Sequence, residues 1–189
     1  MTNSRLDYIL RIRLPITIFV ILAAFTITFY AGKAERDMVG YSPTQPIPFS
    51  HKLHAGEMKI DCQYCHTGVE KSRVAMVPPL STCMNCHKLA RKDKPDIIKL
   101  TKYYDAGIAF PWKRVHRVPD FVYFNHSVHV NKGILCVNCH GDVRQMTQIK
   151  EVQSFTMASC LNCHRNVHKL IPDLKNISNG PQYCYTCHR

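Results

Sequence analysis

Residues 62–66 read Cys62-Gln63-Tyr64-Cys65-His66, a pair of cysteines two residues apart followed at once by a histidine. The same spacing recurs at residues 83–87, 136–140, 160–164 and 184–188, and we call the five segments frames 1 to 5 in chain order. The frames use every cysteine of the 189-residue chain. These cysteines are Cys62, Cys65, Cys83, Cys86, Cys136, Cys139, Cys160, Cys163, Cys184 and Cys187.

C-x-x-C-H is the attachment signature of c-type haem, in which the two thiols bind the porphyrin covalently and the histidine binds the iron. Zinc ribbons and redox dithiols also contain C-x-x-C, but neither explains a histidine after every pair. The sequence therefore predicts five haem c groups and no disulfides. The predicted proximal ligands are His66, His87, His140, His164 and His188.

A charge-free run of 19 residues lies between Arg13 and Lys33. As a helix it covers about 28 Å, close to the hydrocarbon core of a bilayer. Arg5 and Arg11 also precede the run, whereas the residues just after it balance in charge. The positive-inside rule then predicts a single-pass anchor in a bacterial inner membrane, with a cytoplasmic N-terminus and a periplasmic haem domain. The alternative is a cleaved signal peptide, whose apolar region is typically shorter.

An internal repeat precedes frames 1 and 3. Phe49-Ser50-His51-Lys52-Leu53-His54 matches Phe124-Asn125-His126-Ser127-Val128-His129. His51 lies 11 residues before Cys62, and His126 lies 10 residues before Cys136. The repeat predicts two dihaem modules. The expected segments are an N-terminus with anchor (1–32), a linker (33–48), module 1 (49–92), a connector (93–123), module 2 (124–168) and a C-terminal segment with the fifth haem (169–189).

Six histidines outside the frames are candidates for the second axial position of the irons. The repeat predicts four distal ligands, and His116 is the candidate for a fifth, which leaves His168 spare. The four are His51, His54, His126 and His129. Met146 or Met157 is a further possible ligand of one haem, because methionine sulfur is the other common distal ligand. Methionine is also common core filler, which is the alternative for both.

With five macrocycles in so short a chain, we expect the haems to form the core themselves. The predicted fold is a multihaem cytochrome c, with one N-terminal transmembrane helix and a haem-cored domain of short helices and irregular loops, with little sheet. The helices are expected to end at the frames.

The formal charge is +12, from 25 lysines and arginines against 13 acidic residues. Haem propionates offset much of this excess, and basic residues are not interleaved with aromatic ones, so no nucleic-acid partner is predicted. The basic cluster at residues 88–102 is interpreted as a surface for an acidic partner or as partners of haem propionates, and the alternative is an ordinary solvated face.

Several longer stretches resemble the membrane-anchored pentahaem cytochrome c subunit of alternative complex III, which is related to the multihaem subunit of the quinone reductase complex. The similar stretches are Phe49 through Ser72, Cys83-Met84-Asn85-Cys86-His87, Trp112 through His126, and Met157 through Arg165. The resemblance implies a quinol:electron-acceptor oxidoreductase. It also implies iron–sulfur and polytopic quinone-binding partner subunits, with a monohaem cytochrome c or a terminal oxidase as the acceptor.

The favoured function is therefore an electron-transfer subunit that is not an enzyme by itself and has no catalytic residue of its own. One alternative is a self-contained, membrane-anchored quinol dehydrogenase. Another is a multihaem enzyme acting on a small molecule, which needs an open iron face. The supply of spare histidines argues against the second alternative.

Overall fold

The computed structural model describes residues 4–32 and 37–188, and the chain divides into two units, Met1–Met38 and Val39–Arg189. In the first unit, helix α1 (Ser4–Tyr8), a π-helical turn (Ile9–Arg13) and helix α2 (Leu14–Ala31) follow one another. Arg5–Ala31 has a mean hydropathy of 2.1 and apolar side chains exposed on all sides. A helix that is apolar all round needs an apolar surrounding. By length and composition it is a candidate membrane span.

The second unit is mostly short helices and irregular backbone, with no strand among residues 39–188. A π-helical turn (Lys52–Glu57) and a 3₁₀ turn (Val143–Gln145) accompany the α-helices. These helices are α3 (Cys62–Cys65), α4 (Leu80–His87), α5 (Pro95–Asp105), α6 (His126–Val130), α7 (Cys136–His140), α8 (Met157–Leu170) and α9 (Cys184–Cys187).

Local side chains start several of these helices. Asp61 accepts a hydrogen bond from the Gln63 amide at the start of α3, and Asn125 accepts one from the Ser127 amide at the start of α6. Such caps satisfy amides that have no partner within the helix. Four frame helices end within their frames, as expected. Helix α8 does not: it continues past frame 4 to Leu170, with a kink at Asn166.

The apolar core is small. One cluster joins Ile47, Met84, Leu100 and Phe110, and it packs α5 against α4. The remaining buried hydrophobic residues of the described chain are Val69, Val115 and Val167. That the cofactors supply most of the interior remains a prediction.

The predicted modules are hydrogen-bonded to each other. The amides of His126 and Ser127 donate to the carbonyls of Arg73 and Ser72 at 3.2 and 3.1 Å. The Lys52 amide donates to the Met146 carbonyl at 2.9 Å. The structure thus packs the chain before frame 3 directly against the chain that follows frame 1.

Candidate haem-binding sites

All five frames lie on helical turns, in α3, α4, α7, α8 and α9. Residues three apart on a helix face the same side, so each turn presents its two thiols together and sets the histidine beside them. None of the ten cysteines is paired with another in a disulfide. No group of three or more His, Cys, Asp or Glu side chains within residues 4–32 and 37–188 is arranged to hold a bare metal ion. The donor set fits a covalently attached macrocycle better than zinc.

Seven histidines share one orientation. In each, Nδ1 lies 2.6–3.3 Å from a backbone carbonyl oxygen. A carbonyl only accepts hydrogen bonds, so Nδ1 carries the proton and Nε2 keeps its lone pair. Metal-binding histidines typically donate their other ring N–H in this way. The seven are His54, His66, His87, His126, His129, His164 and His188.

Candidate distal histidines stand opposite frame histidines at a repeated spacing. The ring centroids of His54 and His87 are 6.2 Å apart, and those of His129 and His164 are 6.1 Å apart. Two imidazoles on opposite sides of one iron, each with a metal–nitrogen bond of about 2 Å, have centroids roughly 6 Å apart. Both separations fit a haem iron between the rings.

Frame 3 has two candidate partners. The His126 and His140 rings are 6.4 Å apart and parallel within 3°, which also fits axial ligands of one iron. The His116 ring is only 4.3 Å from the His140 ring and perpendicular to it, too close for the two to bind one iron from opposite sides. His116 is the sequence-based candidate for a fifth ligand, and the structure places it beside frame 3.

His51, His116 and His140 are half-buried around frames 1 and 3. Burial, followed by the neighbouring His66, lowers the pKa of His51 to about 4. Burial, followed by His116, likewise lowers the pKa of His140 to about 4. Burial also lowers the pKa of His116. The neutral imidazole is the form that binds metals.

Two of these rings also carry buried nitrogens that have no hydrogen-bond partner among the described residues, Nδ1 of His51 and Nε2 of His116. A buried nitrogen with an unused lone pair is suited to a metal ligand.

The fifth frame is arranged differently. Nδ1 of His188 faces the Phe121 carbonyl at 3.3 Å, and the Phe121 ring stacks on the imidazole at 5.8 Å. The described residues bring no second histidine ring against His188, and His168 is exposed.

The two candidate methionines differ in their surroundings. Met157, the first residue of α8, is 66% exposed, whereas the methyl end of Met146 lies near Gly141, directly after frame 3.

Contacts between frames give them a spatial order, which begins with frames 2, 1 and 3. The Asn85 amide of frame 2 donates to the Tyr64 hydroxyl of frame 1 at 2.9 Å. The pKa of the frame-3 thiol Cys136 is raised by burial and then by Cys62 of frame 1, which lies close to it.

Frames 4 and 5 continue this order. Burial raises the pKa of the Cys139 thiol, and the frame-4 thiols Cys163 and Cys160 raise it further. Burial and then Cys187 of frame 5 raise the pKa of Cys160. These contacts make neighbours of frames 2 and 1, 1 and 3, 3 and 4, and 4 and 5, so the order of neighbours is 2, 1, 3, 4, 5.

The sequence analysis did not identify two kinds of residue that contact the candidate ligand histidines. Phe49 stacks on His54 and meets His51 edge-on, and Phe124 does the same with His129 and His126. The repeat contained this signal, since both phenylalanines lie two residues before the first histidine. No sequence pattern marks Gly180 as part of a site, yet a Cβ at this position would lie 2.5–2.8 Å from the His164 ring.

Comparisons with known proteins agree with this geometry. Residues 28–106 match the class III cytochrome c family, and residues 122–189 match the family of cytochrome c7 and related cytochrome c. Over 169 aligned residues, the chain is 26% identical to the multihaem cytochrome c subunit of menaquinone reductase from Nitratidesulfovibrio vulgaris (strain Hildenborough). The alignment covers 81% of this chain and 80% of the relative. The chain is therefore made of multihaem cytochrome c domains that bind haem c covalently, mostly helical and without strands in its described part.

Proposed function

We propose that the chain binds five haem c groups and transfers single electrons between them as a subunit of a membrane-bound quinol:acceptor oxidoreductase. The observation that carries the proposal is the repeated placement of histidine rings about 6 Å apart, with Nδ1 held by a backbone carbonyl in five of the six rings. A c-type haem with two axial ligands supplies reversible one-electron chemistry at its iron. It offers no open coordination position to a substrate.

The residues of this chain hold, orient and shield the cofactors. The ten frame cysteines would attach them, and the five frame histidines would each bind an iron. As second ligands we assign His54 with His87, His126 with His140, and His129 with His164. By the correspondence of the two repeats, His51 is assigned to frame 1. The proposed segments remain those of the repeat, with modules at 49–92 and 124–168.

For the fifth iron we propose Met157 rather than Met146 or His116. Cys187 contributes to the raised pKa of Cys160, so the two residues are close together, and Met157 lies one turn before Cys160 on α8. Residues three apart share a face of a helix, so Met157 is on the side that faces frame 5. A thioether ligand raises the reduction potential relative to a second histidine.

The assembly follows from the resemblance and the relative. The apolar helix Arg5–Ala31 serves as the anchor, with its arginine-rich N-terminus cytoplasmic and the haem domain periplasmic in a bacterial inner membrane. The partners are iron–sulfur and polytopic quinone-binding subunits, as in alternative complex III, with a monohaem cytochrome c or a terminal oxidase as acceptor. Quinone chemistry then belongs to a partner subunit, and this chain is not an enzyme by itself.

Two measurements on the membrane-extracted protein test the proposal. We expect mass spectrometry of the denatured chain to show five attached haems, and mild detergent extraction to yield a complex with an iron–sulfur and a polytopic subunit. A chain with fewer haems contradicts the five-haem assignment. Quinol oxidation by the isolated chain contradicts the assignment of that reaction to a partner and supports the self-contained quinol dehydrogenase.

A further inference from the structure

The two ends of the frame order differ in charge. Residues 88–102, which follow frame 2, contain six basic and two acidic residues, a net charge of +4. Residues 176–188, which contain frame 5, have no Lys, Arg, Asp or Glu. That end instead exposes Tyr183 and Tyr185, whose rings stack at 5.8 Å. Neutral surfaces rich in tyrosine are typical of stable protein interfaces. Charged surfaces mainly increase the rate of association and are typical of transient complexes.

Packing fixes the basic residues close to frame 2. Leu100 of α5 is 3% exposed and packs in one cluster with Met84 of α4, the helix that ends at His87. This contact leaves Lys99 and Lys102 on the exposed side of α5. The Lys88 ammonium lies 5.6 Å from the centre of the Tyr104 ring. The basic side chains thus have a defined position relative to the frame-2 histidine.

A cleft of about 390 Å³ lies beside His87, lined by Lys88, Lys92 and Lys102 among others. Among the described residues, the basic side chains of 88–102 make one ion pair, a weak 4.0 Å contact between Lys94 and Asp93. All six basic residues are exposed, so this surface is strongly basic. A cluster of one sign beside a cleft raises the rate at which oppositely charged molecules arrive.

We propose that the lysine surface, formed by Lys88, Lys92, Lys99 and Lys102 with Arg91 and Lys94, binds a small soluble electron-carrier protein with an acidic face around its cofactor. The inference rests on the proposed function and assigns the frame-2 end to a transient partner. In each encounter one electron passes between the carrier and the frame-2 haem, so that one is oxidised as the other is reduced. No atom is transferred.

A charge-matched pair of variants tests this on the full holoprotein in nanodiscs. K92E/K102E changes two exposed lysines of the lysine surface, and the control K132E/K175E makes the same change in net charge at exposed lysines elsewhere. The probe is an acidic monohaem cytochrome c, with a basic one as its counterpart. At low salt we expect K92E/K102E to slow electron transfer with the acidic probe by about tenfold or more, and the control by much less. High salt should remove the difference.

Carbodiimide cross-linking gives a second readout that does not depend on electron transfer. We expect cross-links from the acidic probe to peptides of residues 88–102 and not to Lys132 or Lys175. Equal slowing in both variants overturns the proposal, since net charge alone then explains the rates. Protection of the same lysines from acylation by anionic nanodiscs without the probe also overturns it, because the surface then binds lipid. Failure here with five haems still attached and reducible leaves the proposed function intact.

Discussion

His54 and His87 face each other with ring centroids 6.2 Å apart, although 33 positions separate them in the chain. The Ser50 carbonyl holds Nδ1 of His54 at 2.9 Å, and the Ala90 carbonyl holds Nδ1 of His87 at 3.0 Å. Both rings are therefore held in a defined orientation. His129 and His164 repeat the relationship in the second half of the chain, at 6.1 Å.

Replacing His54 with alanine should leave one haem iron without its second protein ligand. We expect one of the five haems to change from low to high spin and to bind one carbon monoxide per chain when reduced. Electron spin resonance and carbon monoxide titration measure this. His168→Ala, at an exposed histidine without an assigned role, is the control and should leave all haems low spin. A low-spin H54A protein contradicts the assignment.

Gly180→Val should disturb frame 4. The added side chain meets the His164 ring, and overpacking of this kind typically costs about 1–3 kcal/mol. We expect a lower midpoint of thermal unfolding and an altered spectrum for one haem. Gly107→Ala is the control: no atom lies within 4 Å of its Cβ position, so it reports only the cost of the left-handed backbone. An unchanged haem spectrum in G180V shows that the His164 position tolerates the added group.

Phe49→Leu and Phe124→Leu should have similar effects, because each phenylalanine stacks on the second histidine of its repeat. The loss at Phe49 should be slightly larger, since its ring also meets Trp112 edge-on at 6.4 Å. Loss of the ring contact is expected to cost about 1 kcal/mol in each variant, and the double variant should show roughly the sum. Denaturant unfolding of the holoprotein measures these free energies. Phe121→Leu, where the ring stacks on a frame histidine but is 66% exposed, should cost less. Markedly unequal losses at the two repeats argue against equivalent modules.

Met157→Ala should remove the near-infrared charge-transfer band that marks histidine–methionine iron. Met146→Ala serves as the matched variant and should retain the band, because Met146 lies beside Gly141. In Met157→His we expect the band to be lost and the potential of one haem to fall, since a second histidine replaces the thioether. Absence of the band in the unaltered protein excludes methionine ligation altogether.

The spatial order of the frames predicts different effects for two pairs of cysteine substitutions. C184A/C187A should remove a terminal haem and leave electron exchange among the other four intact. C136A/C139A removes frame 3, which lies between frames 1 and 4, and should slow exchange between the two halves by orders of magnitude. Stopped-flow reduction measures both, with haem counting and circular dichroism as controls for folding. Similar kinetics in the two variants contradict the order.

The sequence alone predicted the cofactor and its candidate ligands, because the attachment motif and the repeat are patterns of residues close together in the chain. The C-x-x-C-H spacing predicted covalent haem, and the charge-free run after Arg13 predicted the apolar helix. The repeat marked His54 and His129 as candidate ligands. In each case the physical requirement is local, either a helical turn that presents two thiols or a helix of sufficient length.

Only the tertiary structure decided which residues meet. It set His54 opposite His87, brought His116 beside His140, and placed frame 1 between frames 2 and 3. It also placed Gly180 against His164 and oriented the lysine surface beside frame 2. These relationships join segments distant in the chain, and short-range patterns do not specify them. They follow from the packing of Leu100 against Met84 and from backbone hydrogen bonds between segments that are far apart in the chain.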